Sequence, residues 1–158
     1  MTGVKTHVVT SVEITCRHDH DSQQLPPLVE KTAKRFDIAE VAADKAYSGT
    51  DCHDAIAKVG VTPYIAFKSN ATGAIGGVFQ KTFHFYQYKR DEFLMHYHQR
   101  SNVETTFSMI KGKFGGRLRS KGDVAKRNEV LCKILCHNLC CLVQSMFEFG
   151  IEPNFTSM

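Results

Sequence analysis

The hydrophobic pattern alternates between short β-branched runs and helical spacing up to about residue 68 and is helical thereafter, which restricts the fold to an α/β layer followed by a helical half. Residues 5–15 (KTHVVTSVEIT) are rich in β-branched side chains and read as a strand, followed by a polar turn over 17–22. Leu25, Leu28, Val29, Thr32, Ala33 and Phe36 recur at three and four, so 23–36 reads as an amphipathic helix entered through Pro26-Pro27. Residues 38–43 read as a short buried strand ending at Asp44, 50–59 as a helix stopped by Gly60, and 61–67 as a further strand. Such β-α-β-α-β alternation implies at least partly parallel strands.

Beyond Lys68, the composition of 69–77 (SNATGAIGG) is that of a loop, and no G-x-x-x-x-G-K-[ST] phosphate cradle is present. Seven of the sixteen aromatic side chains fall within 79–97 and read as a packing face. Ser101 and Glu104 fit a capping box, so a helix is expected from Ser101 to near Phe114, before Gly115-Gly116. The last helix is expected from Asp123, acting as its cap, to about Phe149, with 151–158 as a tail.

Composition narrows the function. No run approaches the ~20 apolar residues that span a bilayer, since the most apolar stretch, 134–143, contains His137 and Asn138. Residues 1–7 lack the charged and apolar regions of a secretory signal, which points to the cytoplasm. The net charge of +4 is unevenly spread: −1 over 1–79, +7 over 80–133 and −2 over 134–158. Within 111–127, Lys111, Lys113, Arg117, Arg119, Lys121, Lys126 and Arg127 face one acid, Asp123, and such a patch favours a polyanionic partner.

Six cysteines occur without a C-x-x-C pair and read as reduced thiols. Cys132, Cys136 and Cys140 recur at i, i+4 and i+8, as small hydrophobes on one helix face would. A second reading has Cys132, Cys136, Cys140 and Cys141 with His137 binding zinc.

On an unbroken helix Tyr97, Arg100, Glu104 and Lys111 would fall within roughly 60° of one another along about 20 Å. A phenol, a guanidinium, a carboxylate and an ammonium in one row could hold a phosphate backbone near a metal-binding acid. The same residues also fit an ordinary surface, with Glu104 as a cap and an i, i+4 partner of Arg100. Asp44 sits where a buried strand gives way to a loop, where α/β sheets place ligand groups, and it equally suits a turn.

The spacing Tyr97-x2-Arg100-x3-Glu104-x6-Lys111 resembles the Y-R-E-K signature of bacterial insertion-sequence transposases of the DDE type. Ala43-Asp44-Lys45-Ala46-Tyr47 resembles the block around their second catalytic Asp, and the resemblance covers about residues 3–150. It implies a ribonuclease H-like fold in which carboxylates hold two divalent ions, Mg²⁺ or Mn²⁺, for cleavage and strand transfer of transposon-end DNA. By that resemblance Asp44 and Glu104 are catalytic acids and metal ligands, and Tyr97, Arg100 and Lys111 hold DNA, with Lys113, Arg117 and Arg119 extending the DNA-binding surface. The resemblance also implies a homo-oligomer. The family's first Asp and first strands would lie upstream of the segment matched here, so the chain resembles an N-terminally truncated catalytic domain, inactive alone. Asp19 and Asp21 resemble a turn of the family rather than the first acid.

Overall fold

The computed structural model describes residues 1–15 and 20–150 and divides them into two compact units: Met1 with Thr10–Ser101, and Thr2–Val9 with Asn102 onward. The expected tail over 151–158, and Asp19, lie outside the described residues. The fold class is mixed α/β, mostly helical, with one small parallel sheet among the described residues.

In the first unit, a 3-10 turn at Asp21–Gln24 leads into α1 (Leu25–Ala33), whose first turn holds Pro26 and Pro27 where a missing N–H costs nothing. Strand β1 (Glu40–Ala43) is joined through a 3-10 turn and α2 (Thr50–Lys58) to β2 (Thr62–Ile65). Gly60, at φ 77°, closes α2 with its N–H on Ala57 O, a left-handed conformation glycine adopts without penalty. The strands pair in parallel, Glu40 opposite Thr62 and Ala43 opposite Ile65.

Both faces of this sheet are covered, which explains its uninterrupted apolar sequence. Val41, Ala43 and Ile65 pack with Leu25 and Val29 of α1 and Cys52 and Ile56 of α2. Tyr64, Ala66 and Phe67 meet the aromatic side chains of α3 (Gly77–Tyr88) and α4 (Arg90–Tyr97), with Ala42 packed against them. Phe93 is the centre of that layer, fully buried and 5.2–5.7 Å from the rings of Tyr64, Tyr86 and Phe85. The expectation of a packing face over 79–97 is met. Buried His53 packs against both Phe67 and Phe79, with Nδ1 2.9 Å from Gly49 O, and burial lowers its pKa, favouring the neutral ring.

Residues 5–15 do not form the expected strand. Among the described residues β1 pairs only with β2, and the only pairing near the N-terminus is an isolated antiparallel bridge between Thr2 and Val9. A strand needs a ladder, and these residues find side chains instead. Ser11 donates to Leu28 O, and Thr32 donates to Ser11 Oγ at 2.9 Å, tying this stretch to α1.

The second unit is a hook, Thr2–Val9, held by α5 (Ser101–Phe114) and α6 (Asp123–Phe149). The Asn138 carboxamide takes both sides of one peptide: Val9 N–H donates to its Oδ1 and its Nδ2 donates to Val9 O, each at 2.8 Å. One side chain thus supplies what a neighbouring strand would have. His137 Nε2 lies 3.0 Å from His7 O, and His7 Nδ1 lies 3.1 Å from Thr106 Oγ1 of α5. His7 is held at φ 55°, a left-handed conformation costing an L-residue about 1 kcal/mol, which these contacts offset.

The expected span of α6 is met at both ends, but two details differ. Gly122 caps the helix; Asp123 is its first helical residue and pairs with Lys126 at 3.3 Å instead of capping. The buried face is Ile134, His137 and Cys141, while Cys132, Cys136 and Cys140 are exposed. The helix turns toward the hook the residues that can satisfy its backbone, and the cysteine row follows outward. Leu135, Leu139, Leu142 and Val143 are exposed with it. Over its 27 residues α6 is long and apolar enough, by length and composition, to cross a membrane, which corrects the expectation that His137 and Asn138 leave no such run. In this fold both of those polar side chains face the hook.

Candidate site for DNA and metal

Strand β1 delivers Asp44 to the end of the buried layer. Its backbone is extended at φ −64° and ψ 156°, it precedes the 3-10 turn Lys45–Tyr47, and its side chain makes no capping hydrogen bond there. Asp44 thus occupies the turn position, its backbone O accepting from Tyr47 N–H at 2.9 Å, while its carboxylate is not used in the cap. Asp44 Oδ2 instead lies 3.3 Å from Arg100 Nη1, with 48% of the Asp44 and 30% of the Arg100 side chain exposed. The Arg100 guanidinium also stands 5.0 Å from the centroid of the Tyr97 ring. A planar cation over an aromatic face is attracted by the ring and loses little orientation freedom in doing so. Tyr97 is itself buried in the aromatic layer, so its ring serves as the platform of Arg100.

Two of the four residues in the Tyr97-Arg100-Glu104-Lys111 spacing, Tyr97 and Arg100, are thus brought together with Asp44 in the first unit. Glu104 and Lys111 belong to the second unit, exposed on α5 two turns apart, on the side opposite its buried Thr106 and Ile110. Ser101 of the expected capping box starts α5 with helical backbone. Ser101 is already helical, at φ −61° and ψ −18° after the 3-10 turn His98–Arg100, and its hydroxyl donates backward to His98 O. Ser101 is therefore not a non-helical cap.

Magnesium and manganese take hard oxygen donors, and the carboxylates of Asp44 and Glu104 are of that chemistry. Among the described residues, however, no three His, Cys, Asp or Glu side chains gather as a metal site. The donor type fits the two ions and the set does not. The same observation sets aside the zinc reading of Cys132, Cys136, Cys140, Cys141 and His137. Cys141 is buried 3.4 Å from His137 Nε2, and burial raises its pKa, so it stays a thiol.

The basic segment is ordered rather than a loose run of charge. Lys111, Lys113, Arg117, Arg119 and Lys121 are exposed. The loop between α5 and α6 is fastened from below by Glu129 and Lys133, which sequence reasoning missed because they read as an ordinary i, i+4 pair. Asn138, His137 and His7 were also missed as anchors. Their one sequence signal was polarity inside an apolar run.

A comparison with curated proteins and another with solved structures returned no match. A family profile described as transposase DDE domain matches residues 1–139, most of the chain. Asp44 at a strand end, the Arg100 contact and the exposed basic segment are residues of a chain that belongs to the transposase DDE domain family.

Proposed function

We propose that this chain acts as an insertion-sequence DNA transposase that grips DNA and carries Asp44 and Glu104 as acids. On this reading the enzyme has a ribonuclease H-like catalytic core and cuts and joins transposon-end DNA. Asp44 and Glu104 are the acids that would contribute oxygen ligands to Mg²⁺ or Mn²⁺, a group that when bound would supply activation of the attacking oxygen and stabilisation of the leaving one. Arg100, set on Tyr97, holds a phosphate beside Asp44, and Lys111, Lys113, Arg117 and Arg119 track the backbone. The observation that carries the reading is the Arg100 guanidinium, 5.0 Å from the Tyr97 ring centroid and 3.3 Å from a strand-end carboxylate that makes no capping hydrogen bond.

The reading includes association of copies. The outer face of α6 exposes Leu135, Leu139, Leu142 and Val143, and no charged residue lies between Lys133 and Glu148 to oppose pairing.

A non-catalytic, DNA-binding role is the second reading, favoured by the lack of three converging ligands among the described residues. Two acids leave a metal site short of ligands and weak. The isolated chain is therefore expected to bind DNA without nicking it in Mg²⁺ or Mn²⁺, measured by conversion of supercoiled to open-circular plasmid. Metal-dependent nicking that is lost in Glu104→Gln and in Asp44→Asn would establish the catalytic role for this chain alone and remove the second reading.

A further inference from the structure

The loop that follows α5 carries Arg117, Arg119 and Lys121 within residues 115–122, leaving Gly115 at φ 79°. Two side chains one turn apart on α6 fasten both of its arms. Glu129 accepts from the backbone N–H of Arg119 at 2.9 Å and of Ser120 at 2.9 Å. Lys133 Nζ donates to Gly115 O at 3.2 Å and Arg117 O at 2.9 Å, and pairs with Glu129 at 3.2 Å. The two side chains keep 19% and 16% exposure, whereas the basic side chains of the loop are exposed. Four backbone groups are thus bound from the helix side.

We propose that Glu129 and Lys133 act as a positioning clip that holds this loop in the conformation that presents Arg117 and Arg119 to DNA phosphates, so that an acid is required for binding a polyanion. The proposal rests on the DNA-facing reading of the loop. Pre-ordering matters because each long cation otherwise gives up rotamer and backbone freedom on binding. The Ser120 backbone N–H, then its hydroxyl, and further Lys133 and the Arg119 N–H, hold the Glu129 carboxyl down to about 2, so the clip is charged at any working pH.

The test turns on a sign. Coulomb attraction alone says that Glu129→Gln, which removes a negative charge beside a cationic loop, tightens binding to DNA. The clip says the reverse: about tenfold weaker binding, with a log–log salt slope shallower by about 2 as two phosphate contacts lose their hold. The measurement is fluorescence anisotropy of a labelled duplex across a salt series, for the wild-type chain, Glu129→Gln, Lys133→Met and the pair Arg117→Ala with Arg119→Ala. Amide hydrogen exchange at Arg119 and Ser120 reads the clip directly and is expected to speed up in Glu129→Gln and Lys133→Met while α6 stays protected. If wild type ignores the duplex, or the double arginine variant binds as wild type does, the DNA-facing reading fails and takes the clip's role with it. If the arginines matter while Glu129→Gln binds as tightly as wild type or more so, the clip alone is overturned.

Discussion

Affinity of the chain for duplex DNA is expected to fall about 10³-fold between 50 and 200 mM salt, with little dependence on divalent metal. The argument counts charges. Lys111, Lys113, Arg117, Arg119, Lys121, Lys126 and Arg127 lie within seventeen residues against one acid, and that acid, Asp123, is paired with Lys126. If six phosphates are neutralised, the log–log slope is about −5, and a fourfold change in salt is then worth about three orders of magnitude. Anisotropy titrations at several salt concentrations give the slope. A slope near −1 would mean that the basic segment meets DNA at one or two points and that its ordering serves something else.

Phe93→Ala is expected to destabilise the first unit by about 4 kcal/mol. Phe93 is fully buried, and its ring is in contact with Tyr64, Phe85 and Tyr86 in tilted and edge-on arrangements. Removing it forfeits the transfer energy of a whole ring, leaves a cavity the surrounding rings cannot fill, and cancels aromatic pairings worth about 0.5–1.5 kcal/mol each. Since small domains have only about 5–15 kcal/mol in total, urea denaturation should show a midpoint far below that of wild type. The same layer seats Tyr97, so Arg100 would lose its platform and DNA binding near Asp44 should weaken with stability. A loss under 1 kcal/mol would show that the aromatic layer is not the core described above.

The parts of this fold legible in the sequence are those fixed by local rules. Gly60 ends α2 and Gly150 ends α6 where the sequence places them, each in the left-handed conformation that glycine favours. Strand β1 ends at Ala43 as expected, so Asp44 could be singled out from its position alone. The failures share one cause, which is that partners distant in sequence decided the outcome. Residues 5–15 have strand composition, yet no strand among the described residues pairs with them, and Asn138, 129 positions beyond Val9, takes the ladder's place. The cysteine row on α6 has the period of a buried face, yet His137 and Asn138 select the opposite phase because they have a backbone to satisfy. Ser101 and Glu104 match a capping box, yet helical backbone before Ser101 leaves no N-cap for it to occupy. Glu129 and Lys133 look like a surface pair until the loop folded over them is seen.

The most direct test of the account is to map where DNA lands on the isotopically labelled chain by amide chemical-shift changes on adding a short duplex. The account predicts changes at Lys111, Lys113, residues 115–121 and Arg100, diminishing as salt is raised. Shifts confined to the exposed Leu135, Leu139 and Leu142 face of α6, or none at the basic loop and Arg100, would contradict it.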